Sequence, residues 1–260
     1  MSDAKLHTIK LPYPDKDDRT VWVYVPSHSD GEKIPVVYMT DGQNLFDDNS
    51  TPHGSWEVVK AVENERKSGV GNAVIVGIDN GNAWRDSELT PKSIGEVQHP
   101  EMLCEDFKPE GEIFDNFLMN TVIPYVENKF PVCTDRQNIA VCGSSSGGLM
   151  SFFSAFEHPE KFSYAGVFSP AFLCYTREDW AKYLSTKIVE DMPYLYIYTG
   201  NGDELEEMIF ESTEMLYELL EESFYPYDRM NEVILFENAH NEKSWREIFP
   251  DFLHTFLSRL

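Results

Sequence analysis

Residues 138–158 read NIAVCGSSSGGLMSFFSAFEH, and this stretch decides the fold. Asn138–Cys142 is a short, nearly continuous apolar run, the mark of a strand buried on both faces of a parallel sheet. Ser146–His158 has the composition of a helix. Between them, Gly143-Ser144-Ser145-Ser146-Gly147 fits G-x-S-x-G, a strained strand-to-helix turn that lifts a serine hydroxyl above the sheet. Such a turn tolerates only tiny residues two places either side of the serine. Ser145 has Gly143 and Gly147 there; Ser146 would have Ser144 and Gly148, a poorer fit, and Ser144 would have Cys142. A plain Gly/Ser turn or a phosphate-binding nest would use the same residues. The strand running in and the helix running out favour the nucleophile reading, with Ser145 as the nucleophile.

Outward from this turn the pattern repeats. Lys5–Pro12 and Thr20–Pro26 read as strands separated by a turn-rich PYPDKDD. Ile34–Met39, Ala73–Asp79, Tyr164–Ser169, Tyr194–Tyr198 and Val233–Phe236 are further strands. Helices are expected over Ser55–Arg66 with Ser55 as N-cap, Phe114–Phe130, Arg177–Leu184, Glu204–Glu222 and Glu242–Leu260. Strand then helix, repeated, predicts a single α/β domain over residues 1–260, with a mostly parallel central sheet and helices on both faces. Two strands precede any helix, so the sheet should start antiparallel. The irregular stretch from about Asn80 to Glu110 is too long for a plain connector and is expected to be a lid or binding loop.

Composition narrows the function. Hydrophobic residues make up 42% and charged residues 25% of the 260, a globular balance that excludes disordered and fibrous classes. Against 45 acidic side chains stand 21 basic ones, a net charge of −24 that repels nucleic-acid backbones and anionic membranes. Cys104, Cys133, Cys142 and Cys174 are too scattered for a zinc knuckle or a redox pair, and no HExxH or paired-histidine motif is present, so no metal is expected. No signal-peptide run and no stretch of about 20 apolar residues occurs, which points to a cytoplasmic protein.

A serine hydroxyl needs a base. In the α/β-hydrolase order an acid and then a histidine follow the nucleophile. His240, in the loop after the last expected strand, sits where open α/β sheets place their sites. His254 falls inside the terminal helix beside Phe252 and Leu253 and reads as packing. For the acid, Asp203 lies just past Tyr194–Tyr198, with Glu204 next and Glu207 after it. The same residues, with Glu206, could merely complement a helix dipole. An oxyanion hole would draw one N–H from Ser146 and one from Gln43, in the loop YMTDGQNLF after a buried strand.

VVYMTDGQNLF, VGIDNG followed by Arg85 and Glu88-Leu89-Thr90, DRQNIAVCGSSSGGL, FSPAF and the His240–Trp245 spacing resemble the esterase D/putative esterase family of α/β-hydrolases. The resemblance runs from about Leu11 to Phe256. It implies the α/β-hydrolase fold, a Ser145–Asp203–His240 triad, oxyanion donors at Gln43 and Ser146, and no cofactor. Asp41 stands where the family often has histidine before Gly42.

The expectation is a serine carboxylesterase acting through an acyl-enzyme on small soluble esters, with acetyl or hydroxycinnamoyl esters of carbohydrates favoured. Trp84, Arg85 and Trp245 are expected to meet the substrate. The alternatives are a siderophore trilactone esterase, an acyltransferase using the same residues, and a non-enzymatic binding protein on this fold. A small-molecule ester is the expected partner, and the sequence leaves homo-oligomerisation open.

Overall fold

The computed structural model describes residues 2–100, 103 and 106–260; Cys104 lies outside the described residues. Eight strands form one sheet: β1 (Lys5–Leu11), β2 (Arg19–Val25), β3 (Val36–Met39), β4 (Val74–Ile78), β5 (Ile139–Ser144), β6 (Tyr164–Phe168), β7 (Tyr194–Thr199) and β8 (Met230–Ile234). Their order is β1-β2-β4-β3-β5-β6-β7-β8. β2 runs antiparallel to β1 and to β4, and every other neighbour is parallel. The antiparallel start and mostly parallel remainder are as the sequence predicts.

Side-chain alternation along the strands divides the core in two. Val36 and Tyr38 of β3 face one layer, and Val37 and Met39 face the other, because successive strand residues point to opposite faces. The first layer holds α3 (Gly111–Phe117), α4 (Ile123–Lys129), α5 (Ser146–Glu157), α6 (Arg177–Lys187) and α7 (Glu204–Glu222). The second holds α1 (Val58–Ser68) and α8 (Glu242–Ser258), the latter packing Phe252 against the rings of Tyr164, Phe168 and Tyr196.

Four elements differ from expectation, each for a local reason. α1 starts at Val58 with Glu57 as its N-cap in a left-handed conformation; the Ser55 hydroxyl instead donates to Asp48 at 2.6 Å and accepts from the Glu57 N–H at 3.2 Å. The helix expected over Phe114–Phe130 begins earlier and passes through a π turn, Leu118–Val122, just before Pro124, which lacks the N–H an α-helical ladder would use. β8 begins at Met230 and ends at Ile234, the partner of the last residue of β7; the Leu235 N–H still donates to Thr199 O at 3.1 Å, and Phe236 beyond it is exposed. The long loop after β4 carries a 3₁₀ turn, Asn82–Trp84, and a one-turn helix, α2 (Arg85–Glu88).

Where α5 ends, His158 Nε2 lies 2.6 Å from Asp115 Oδ2 of α3, and Asp115 Oδ1 accepts from Ser154 Oγ at 2.7 Å. Burial alone would lower the imidazole pKa. The hydrogen bond and charge of Asp115, helped by Glu160 and Glu157, more than offset this and raise it above the ordinary 6.5. A folded pKa above the unfolded one adds stability that is complete below the unfolded value and vanishes as pH rises through the folded one. The urea-unfolding free energy of wild type should therefore exceed that of His158→Gln most at about pH 5.5, with the gap narrowing towards about pH 8.5. A gap independent of pH would mean that the imidazole acts only as a neutral donor.

Candidate active site

Ser145 has φ 59° and ψ −127°, a region open to few L-residues and costing about 1–3 kcal/mol. Ser144 ends β5 and Ser146 starts α5, so of the three serines Ser145 alone carries the turn. The flanking glycines are required by contact. A Cβ on Gly143 would meet Thr40 Oγ1 and lie 2.5 Å from the Gly147 carbonyl oxygen, and one on Gly147 would meet the same hydroxyl. Backbone bonds fasten the turn: the Ser145 N–H donates to Phe168 O (3.0 Å), and Ser145 O accepts from Ala171 N (3.1 Å) and Leu149 N (3.0 Å).

β3 and β5 are neighbours in the sheet, yet the chain leaves β3 for β4 on the other side. This is a topological switch point, where open α/β sheets leave a crevice. Gln43 lies in the 3₁₀ turn Gly42–Asn44 beyond β3, and Ser146 is the first residue of α5. N–H groups at such helix starts have no intrahelical acceptor and can face a ligand.

Arg85, expected to meet the substrate, spends its guanidinium on the protein. Its Nε and Nη2 fork onto Asp41 at 2.7 and 2.8 Å, Nη2 also donates to Ser144 O at 3.2 Å, and Nη1 reaches Asp86 at 3.3 Å. Burial alone would raise the Asp41 pKa; the charge and hydrogen bonds of Arg85, with Asn80, hold it below the ordinary carboxylate range.

On the other side of Ser145 the loop after β8 brings His240 to the start of α7. The carboxylate that meets its ring is Glu206, with Oε2 2.6 Å from His240 Nδ1. Asp203 does not reach the ring. Its Oδ1 caps α7 by accepting the Glu206 N–H at 2.8 Å, and its Oδ2 accepts the backbone N–H of His240 at 2.7 Å. Glu204 and Glu207 lie on exposed positions of the helix. Glu206 is wholly buried, and its Oε1 accepts from Gly200 N (2.8 Å) and Ser169 Oγ (2.5 Å). Ser169 in turn accepts from Trp245 Nε1 at 3.0 Å. Trp245 is thus a buried support rather than a substrate contact, its ring set edge-on to His240 with centroids 5.1 Å apart. His254 lies exposed, not packed in the core, with Nδ1 2.9 Å from Glu65. Trp84 is 47% exposed and borders a cavity of about 620 Å³, which Asn80, a neighbour of Gln43, also lines.

Residues 15–256 match the family described as "Putative esterase". The chain belongs to that family. Among curated proteins it is 23% identical over 209 residues to the uncharacterized protein YbbA of Bacillus subtilis (strain 168), covering 79% of this chain and 78% of that one. Among solved structures it is similar to a ferulic acid esterase (TM-score 0.70, 18% identity, 99% of this chain and 98% of that one). It is also similar to the siderophore hydrolase EstA from Aspergillus nidulans (TM-score 0.74, 18% identity, 96% and 94%). These structures share the α/β-hydrolase fold, and the family's reaction class is carboxylic ester hydrolysis.

In this esterase-family chain the residue that sequence reasoning passed over is Glu206. A signal for it was present: Asp203-x-x-Glu206 has the spacing of an N-cap and its N3 residue, and an aspartate committed to the N3 amide leaves the next acid to reach the histidine. Among the described residues no group of three His, Cys, Asp or Glu side chains is placed to hold a metal ion, and no described helix is long and apolar enough to cross a membrane.

The crowding at the serine turn has a measurable cost. Gly143→Ala should lower the urea-unfolding free energy by about 1–3 kcal/mol through overpacking alone, because the opposing atoms include backbone. Wild-type stability in this variant would show that Thr40 and the Gly147 peptide can move aside.

Proposed function

We propose that the chain is a serine carboxylesterase in which Ser145 is the nucleophile, His240 the general base and then acid, and Glu206 the carboxylate that orients His240. The observation that carries this reading is the 2.6 Å contact between His240 Nδ1 and a fully buried Glu206, reached from the strained Ser145 turn through one connected set of loops. Ala171 bonds to Ser145, Ser169 of the same loop bonds to Glu206, and Glu206 bonds to His240.

Ser145 Oγ attacks the ester carbonyl carbon while His240 Nε2 takes its proton. The carbonyl oxygen becomes an oxyanion held by the N–H groups of Gln43 and Ser146. Collapse breaks the bond to the alcohol oxygen, which leaves with the proton from His240. Water then attacks the acyl-serine by the same route and releases the acid. Glu206 keeps the proton-bearing Nδ1 turned inwards, so that Nε2 is free to act as base. No cofactor takes part.

Neutral acyl esters of carbohydrates, acetyl or hydroxycinnamoyl, suit the cavity beside Trp84, which meets the site through Asn80, the partner of Gln43. The half-exposed Trp84 indole, with Lys16 Nζ 5.7 Å from its ring centroid, offers its remaining face for a sugar or phenolic ring, and Asp15, Asp17, Asp18, Asp79 and Glu88 outnumber Lys16 and Arg19 in the lining of the cavity it borders. Carboxylates accept hydroxyl protons but repel anions, which disfavours ferric trilactone siderophores in a chain of net charge −24.

Ser145→Ala should abolish release of p-nitrophenol from its acetate. Glu206→Gln should lower kcat by up to about 10⁴-fold through the wrong imidazole tautomer. Asp203→Asn keeps a cap on the Glu206 N–H but loses the acceptor for the His240 N–H, so it should cost about tenfold, well short of the Glu206→Gln loss. A crippled Asp203→Asn beside a near-wild-type Glu206→Gln would return the orienting role to Asp203. In a screen of acetylated, feruloylated and trilactone substrates, fastest turnover of the trilactone would overturn the substrate reading.

A further inference from the structure

We infer that the segment Asn80–Asp86 is a brace that sets the two halves of the oxyanion hole at a fixed distance, with Arg85 as its positioning residue. The inference rests on the serine-esterase reading of the site. The two donors, Gln43 and Ser146, belong to different elements and lie beyond the ends of β3 and β5, where the sheet's own ladder no longer holds them together. The ladder's last tie is Thr40 N to Cys142 O at 3.2 Å.

Past that point the connection runs through the brace. Arg85 Nη2 donates both to Asp41, two residues before Gln43, and to the carbonyl of Ser144, the residue before the nucleophile. Asp86 Oδ1 accepts from Ser146 Oγ at 3.1 Å, tying the second donor residue to the same segment. Asn80 grips the first half twice, through Nδ2 to Asp41 Oδ1 (2.6 Å) and N to Gln43 Oε1 (3.2 Å). Every one of these bonds crosses from one half of the hole to a common segment, or spans both halves.

The energetics favour a positional over a stabilising role. Asp41 is 5% exposed and sits at φ 55°, so both its charge and its backbone are costly to keep. A buried ion pair adds little net stability compared with well-packed apolar residues. What it adds is geometry: a forked guanidinium–carboxylate pair accepts one orientation, and lysine cannot reproduce it. A hole displaced by about 1 Å forfeits about 10²-fold in rate.

The test compares Arg85→Lys, which keeps the charge beside Asp41 but not the fork or the bond to Ser144, with wild type on p-nitrophenyl acetate. kcat should fall about 10²–10³-fold, the range for losing one oxyanion donor, with KM within about threefold. Affinity for a trifluoromethyl ketone, which forms an oxyanion on the serine, should fall in parallel. The neutral double variant Asp41→Asn/Arg85→Gln guards against misfolding and should show the same kcat loss with a cooperative unfolding transition. Near-wild-type kcat in Arg85→Lys, or a loss that merely follows lost unfolding cooperativity in both variants, overturns the brace. Wild-type protein that neither hydrolyses the ester nor is labelled at Ser145 by a fluorophosphonate overturns the serine-esterase reading, and this inference with it.

Discussion

A carboxylate with no exposed surface must find all its donors within the protein, and at Glu206 that demand organises half the molecule. The donors arrive from the loop after β6 (Ser169), the end of β7 (Gly200) and the loop after β8 (His240). Trp245 of α8 joins through Ser169. Three pieces of the C-terminal half therefore converge on two oxygen atoms, and a fourth supports one of them. None of the three direct donors can shift alone without leaving a buried carboxyl oxygen short of a partner, a larger loss than an ordinary exposed hydrogen bond is worth.

The N-terminal half obeys the same rule around a second carboxylate. Asp41 draws Arg85 and Asn80 from the loop after β4 to the end of β3, next to the serine turn. One carboxylate thus fixes the loops to the right of Ser145 in the sheet and the other fixes those to its left. The chain's high acidity does not dilute these two groups, because most of its carboxylates are solvated whereas these are enclosed and answered by named donors. Charge in this protein acts through enclosure.

The elements that follow from local pattern were legible in the residues. The apolar runs of β3 to β7 and the glycine–serine turn depend on neighbours in sequence, as does α7, whose bounds match the expected Glu204–Glu222. What was not legible depends on long-range pairing. Arg85 meets a partner 44 residues away, and nothing near it in the chain distinguishes a buried clamp from a free substrate-binding cation. At Asp203 two physical roles coincide in one acidic run: the residue after a strand that could orient a histidine is also the N-cap of the next helix. Capping requires the side chain to fold back on its own helix, so the residue one turn further in becomes the one that faces the site. Trp245 shows the same limit, since an indole that supports a site and one that lines it carry identical local signals.

Backbone strain shows where the fold spends stability. Five non-glycine residues with positive φ, Asp41, Asn82, Ser145, Ser169 and Glu237, follow the carboxyl ends of β3, β4, β5, β6 and β8. At about 1–3 kcal/mol each, such residues persist only where their surroundings over-determine them. The surroundings here are the two carboxylate networks: Asp41 belongs to one, Ser169 to the other, and Ser145 is bonded through its backbone to the loops that carry Ser169 and Ala171. The buried parallel strands β3 to β7 supply the rigid edge from which these loops spring, and the enclosed carboxylates fix their outer ends. Loops held at both ends cannot relax into ordinary turns. The strain at Ser145 is therefore held from both sides: Arg85 grips the Ser144 carbonyl, and Phe168 and Ala171 grip the Ser145 peptide groups.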